Sequence, residues 1–193
     1  MGGFARMLDA CVAFILIGVS APVAMATPPA TPAARQAQSR AVVPLGLLHH
    51  VAQREIELGL LAEVAAARPE TMRFATELET DFRLLDRRIL AIAEARGIGE
   101  HRLRQAYADQ NTVALERQAD DLDRLSMLRG EEFDRQFWVT VDRDQLAASD
   151  LLASAAGTVS SLDPLVADTV RLLDRSIRRS AAAQTGSNIP ASR

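Results

Sequence analysis

From residue 75 to residue 92 the apolar side chains fall at steps of three and four: Ala75, Leu78, Phe82, Leu85, Ile89 and Ile92. At 3.6 residues per turn these six positions form one stripe along a helix, whereas on a strand they would scatter over both faces. A helix with such a stripe must bury it against another element. The stripe recurs. Leu48, Val51, Glu55, Leu58, Ala62 and Ala65 form a first one, and Leu115, Leu122, Leu125 and Leu128 a third. Phe133, Phe137, Asp144, Ala148, Leu151 and Ala155 form a fourth, and Leu165, Val166, Val170, Leu172, Leu173 and Ile177 a fifth. No segment alternates at period two for long enough to force a strand. The nearest, 137–141, lies within a helical pattern.

Punctuation gives the boundaries. Pro69 breaks the first helix and opens the second; Gly97 and Gly99 close the second. Gly130 separates the third from the fourth, and Asp163-Pro164 reads as the cap and first turn of the last. Helices are expected over 45–67, 70–96, 131–156 and 164–182, with a shorter one over 112–129. The polar segment 98–111 reads as a connection with a partial turn. The spacing predicts an all-α antiparallel four-helix bundle over 45–182, with the short helix added before the third long one. Aromatics make up only 4% of the chain, so Leu, Val, Ile and Ala are expected to build the core.

The first 26 residues are different material. Arg6 supplies positive charge, residues 11–21 are an almost unbroken apolar run, and Ala24-Met25-Ala26 has the small-x-small form of a cleavage site. Residues 1–26 therefore read as a secretory signal peptide, which implies a periplasmic protein. The run falls short of the ~20 residues needed to span a bilayer, and Pro22 interrupts its end. No transmembrane span is expected once the leader is cleaved. Leu8-Asp9-Ala10-Cys11 faintly resembles a lipobox, but the cysteine begins the apolar run instead of following it. Cleavage after Ala26 would leave no cysteine, which removes disulfides, thiolate catalysis and cysteine ligands. Residues 27–44, with Pro28, Pro29, Pro32 and Pro44, read as a disordered linker, and 183–193 as a disordered tail.

Charge and chemistry narrow the function classes. The net charge of −3 offers no concentrated basic face for nucleic acid. Every cation other than histidine is arginine, so a lysine nucleophile or Schiff base is excluded. No Gly-x-Ser-x-Gly elbow or phosphate-cradling glycine loop occurs. Of the histidines, adjacent His49 and His50 are expected to face solvent near a helix start, and His101 to lie in a loop. Glu55 and Asp144 are the acids that fall inside apolar stripes. Such acids are buried only when paired, so each is expected at a stripe's edge, meeting an arginine of a neighbouring helix.

Glu55-Ile56-Glu57-Leu58-Gly59, Phe74-Ala75, Thr80-Asp81-Phe82 and the segment Leu125-Ser126-Met127-Leu128-Arg129-Gly130-Glu131-Glu132-Phe133-Asp134-Arg135 occur in that order. In this the chain resembles the bacterial domain-of-unknown-function family 4142, from 45 to 182. The resemblance implies an exported, ferritin-like helical bundle of a kind often labelled an outer-membrane protein. It also implies histidines at three places, where this chain has Phe82, Gln145 and either Arg175 or Ser176. A divergent member is implied, one that keeps the bundle and has lost those histidines.

Two functions of different class follow. One is a non-enzymatic binding or interaction module with an unknown protein or envelope partner and no cofactor. The alternative is a ferritin-like metal or redox protein with a carboxylate-only site of Glu55, Asp81 and Asp144, since hard cations accept all-oxygen shells. A membrane-associated stress protein is a third and weaker possibility, separable by fractionation at high salt.

Overall fold

The computed structural model describes residues 31–155 and 160–186. The expected leader (1–26), the start of the expected linker (27–30), the turn at 156–159 and residues 187–193 lie outside the described residues. Among the described residues there are five α-helices and no strand. They are α1 (Pro32–Ala65), α2 (Pro69–Glu94), α3 (Glu100–Met127), α4 (Gly130–Ala155) and α5 (Asp163–Gly186), with a single 3-10 turn at Ser160–Leu162 before α5. No described helix is long and apolar enough to cross a membrane.

The helices pack as the stripes require. α1 contacts α2, α3 and α4, while α5 packs on α4 and α2, so α1, α2, α5 and α4 make a closed ring with α3 laid against α1 and α4. Partners across the ring run in opposite numerical order. Arg54 meets Asp144 and Arg68 meets Asp134 between α1 and α4. Arg88 meets Asp168 and Arg179 meets Glu77 between α2 and α5. Phe82, Phe133, Phe137, Leu48, Leu58 and Ile89 are fully buried at the centre.

Two close approaches set the spacing of α1 against its neighbours. A Cβ at Gly46 would lie 2.6 Å from the Leu103 carbonyl oxygen of α3, and one at Gly59 would lie 2.9 Å from the Ala75 carbonyl oxygen of α2. Only glycine lets the backbones come this near. The Gly130 that opens α4 has φ 66°, the left-handed region glycine enters freely. Four residues on, Asp134 accepts the backbone N–H groups of Ala67 and Arg68 at 3.3 and 3.0 Å, tying α4 to the turn between α1 and α2. The 125–135 segment of the sequence resemblance is thus a structural joint.

Four expectations need correction. The segment 32–44, expected as disordered linker, is the first third of α1. Pro44 forfeits one backbone hydrogen bond, but Ala41, Val42 and Leu45 extend the apolar stripe past it and are buried. The expected connection (98–111) and short helix (112–129) are one helix, α3, interrupted at Asn111 with φ −134° and ψ 28°. The Asn111 amide donates to the Tyr107 carbonyl at 3.0 Å there. α3 looked unlike a helix because it is half covered: only Leu103, Tyr107 and Leu125 are buried. The last helix runs to Gly186, beyond its expected end at 182. In α4 the chain buries Leu152 and leaves Leu151 exposed, so the stripe is offset by one residue at that end.

The scarcity of aromatics also misled. Phe74, Phe133, Phe137 and Trp138 gather in one cluster, with ring centroids 4.7 Å apart for Phe74–Trp138 and 5.7 Å for Phe133–Phe137. Few rings, concentrated at one level, supply much of the packing between α2 and α4.

Candidate ligand-binding site

Residues 49–55 of α1 place five polar side chains in under two turns, and the helix aims them at three neighbours. His49 and Gln53, four apart, share the face toward α2. His49 Nδ1 donates to Asp86 Oδ1 and Gln53 Nε2 donates to Asp86 Oδ2, each at 2.6 Å. His50 and Arg54 share the next face. The His50 ring stacks on Tyr107 of α3 at 3.9 Å, and its Nε2 lies 2.8 Å from Gln118 Oε1. Arg54 Nε donates to Asp144 Oδ2 of α4 at 2.9 Å. Asp144 also receives Arg143, which forms an ion pair with Asp121 of α3 at 2.8 Å. Glu55 points to the centre, where Gln145 Nε2 donates to it at 3.2 Å and to Ser176 of α5 at 2.7 Å.

The result is a polar belt through the middle of the bundle. Burial pushes the Glu55 carboxyl up to about 8, against the lowering effect of the Gln145 bond, with the Asp144 charge adding to the rise. Glu55 is therefore protonated near neutral pH, which is how a fully buried acid is tolerated without a cation. Burial holds His50 down to about 4, so its ring is neutral at that pH. A neutral ring bonded to an amide oxygen carries its proton on Nε2. The Nδ1–H of His49 points to the Asp86 carboxylate.

Two buried nitrogens in this belt have no hydrogen-bond partner: His49 Nε2 and Arg54 Nη2. The nearest acid to His49 Nε2 is Glu100, at 4.0 Å. Both residues line a cavity of about 480 Å³ between α1 and α3. Its polar lining continues through His50, Gln53, Glu57 and Arg104; Leu115 and Leu122 of α3 supply apolar wall. The cavity spans the break at Asn111, where the two halves of α3 change direction over α1.

The sequence-derived candidates are distributed as follows. Asp144 meets an arginine of a neighbouring helix, as expected of it. Glu55 does not sit at a stripe edge; it is 1% exposed and meets Gln145 instead of an arginine. Asp81 stands apart from the other two, on the α2–α5 side, 3.5 Å from Arg179. Among the described residues no three His, Cys, Asp or Glu side chains are grouped so as to hold a metal. Of the positions that the resemblance would give to histidine, Phe82 is fully buried, and Gln145 and Ser176 bond each other beside Glu55.

The histidines correct the sequence reading most. His49 is 1% exposed, His50 is partly buried, and both line the cavity between α1 and α3; His101 is exposed on the first turn of α3 and not in a loop. The pattern His-His-x-x-Gln-Arg-Glu could have flagged them, since four-residue spacing puts His49 with Gln53 and His50 with Arg54. Nothing in the sequence showed that Asp86, Tyr107 and Gln118 would meet them.

A family profile described as Domain of unknown function (DUF4142) matches residues 25–178. No curated protein and no solved structure matches the chain.

Proposed function

The chain belongs to the DUF4142 family, and we propose that it is an exported helical-bundle module that binds a small molecule without transforming it. One observation carries this reading: a cavity of about 480 Å³ between α1 and α3 is lined by polar side chains of α1 and by Leu115 and Leu122 of α3. That volume falls within the range of small-molecule sites, roughly 300–1,000 Å³. The acids of the belt are engaged in holding helices together. Asp86 accepts two bonds and Asp144 meets two arginines, which suits a pre-organised binding surface. Export rests on residues 1–26, whose charge, apolar run and Ala24-Met25-Ala26 have the order of a cleavable leader.

The test is to express the chain with its own leader and weigh the periplasmic product under native and denaturing conditions, with metal analysis alongside. The expected product begins near Thr27 and carries a small organic adduct that denaturation releases. A full-length cytoplasmic product, or a periplasmic one without adduct, would overturn the proposal. So would stoichiometric metal that disappears in Glu55→Ala or Asp144→Ala, which would favour the carboxylate-only metal site.

A further inference from the structure

We propose that the α1–α3 cavity takes a monoamine: one ammonium group, held by Glu57, on an apolar body that lies along the α3 wall. This rests on the small-molecule binding reading and names its ligand class.

The head follows from the one lining charge that the fold leaves without a counter-ion. Arginines and carboxylates line the cavity at three positions, Arg54, Glu57 and Arg104. Arg54 faces Asp144 at 2.9 Å, and Arg143, which shares Asp144, faces Asp121 at 2.8 Å, so two cations meet two acids there. Arg104 faces Glu100 at 3.0 Å. The Glu57 side chain makes no ion pair or hydrogen bond among the described residues. It feels the Arg54 charge without touching it, and burial raises its carboxyl against that lowering effect. Glu57 is nevertheless exposed, so a ligand entering from solvent reaches it. An ammonium group brings the missing counter-charge together with N–H donors. Gln53, four residues earlier and so on the same face of α1, spends its amide N–H on Asp86 and keeps Oε1 as a further acceptor.

The body follows from the opposite wall. Leu115, Leu122, Ala108 and Ala119 of α3 line the cavity without a polar side-chain atom. Gln118 of the same helix is engaged by His50 at 2.8 Å, and the flat Tyr107–His50 stack completes the lining. A second charge laid against this wall would lose hydration and gain no partner, which restricts the ligand to one ammonium.

The experiment is isothermal titration of the purified protein with octylamine, octanol, octanoate and diaminooctane at neutral pH and low salt. Octylamine should bind first, about tenfold tighter than octanol, as a hydrogen bond to a charged group allows. Octanoate and diaminooctane should each bind at least about tenfold more weakly than octylamine, since each brings a charge that the cavity does not match. Three variants at exposed positions locate the effect, each checked by circular dichroism for an unchanged fold. Glu57→Gln keeps the side chain's shape and should lower octylamine affinity about tenfold while leaving octanol unchanged. Glu63→Gln removes an acid of α1 outside the lining and should change nothing. Ala119→Trp fills the cavity from the α3 wall and should abolish binding of octylamine and octanol alike. A different order among the probes overturns the proposal. So does an octylamine affinity that survives Glu57→Gln or Ala119→Trp, or that falls as far in Glu63→Gln. Failure of all four probes while the periplasmic product carries an adduct overturns this ligand class alone. Failure with no adduct overturns the binding reading as well.

Discussion

Arg54 and Asp144, ninety positions apart, form an ion pair at 2.9 Å in which each side chain is only 5% exposed. Such a pair contributes modestly to net stability, but removing one member strands the other. Asp144→Ala leaves the buried Arg54 Nε–H without its carboxylate and is expected to cost about 3–5 kcal/mol. A urea titration measures it. Truncating an exposed pair, as in Glu70→Ala opposite Arg73, should cost no more than about 1 kcal/mol.

Asp86 holds both His49 and Gln53, so its loss orphans two donors at once. Asp86→Ala should destabilise by about 2–4 kcal/mol, since each unsatisfied buried group costs about 1–3. Asp86→Asn keeps one acceptor oxygen and should cost less. Chemical denaturation of the two variants side by side shows the difference.

Stability should depend on pH through Glu55 and His50, with opposite signs. The Glu55 carboxyl titrates at about 8 when folded and 4.5 when unfolded, so the folded chain holds a proton that the unfolded chain has lost in between. Its contribution is full below pH 4.5 and is lost as pH rises to 8, by at most about 1.4 kcal/mol per pH unit. His50 titrates at about 4 when folded and 6.5 when unfolded, so its contribution is present above 6.5 and is lost as pH falls toward 4. The two slopes oppose each other from pH 4.5 to 6.5, and Glu55 acts alone above that. Denaturation midpoints should be nearly flat to pH 6.5 and then decline toward 8. Glu55→Gln should remove the decline.

Gly46 lets α1 approach the Leu103 carbonyl of α3, and a methyl group there would sit 2.6 Å from the oxygen. Gly46→Ala should push α3 outward at a cost of about 1–3 kcal/mol, the usual range for overpacking. Hydrogen exchange should speed up in α3 while the amides of α2 change little.

Phe82 is fully buried at a position where the family resemblance implies histidine. Phe82→Ala should cost about 3–5 kcal/mol through lost burial and a residual cavity. Phe82→His should also destabilise, because the polar ring enters an apolar environment. Thermal melts of both variants test whether this position serves packing.

The helical class and the core face of α2 were legible in the sequence, because a period near 3.6 is a local property that short segments report directly. The pairing of Asp144 with an arginine was legible too, since an acid within an apolar stripe has few alternatives. α3 was not: a helix covered on so little of its surface carries a weak stripe, and its break at Asn111 looked like an end. The start of α1 was hidden by Pro44, a breaker outweighed by the burial of Ala41 and Val42.

The sequence by itself determined which stretches are helical and which residues each helix must bury, because those are matters of spacing along one chain. It placed His49, His50, Gln53, Arg54 and Glu55 together on α1. Only the tertiary structure decided what they meet. His49 finds Asp86 thirty-seven residues on, and Gln145 finds Glu55 at a separation of ninety. Such contacts depend on how whole helices are rotated and staggered, which is settled by packing across the bundle. The same packing left Nε2 of His49 and Nη2 of Arg54 without partners, on residues that line one cavity.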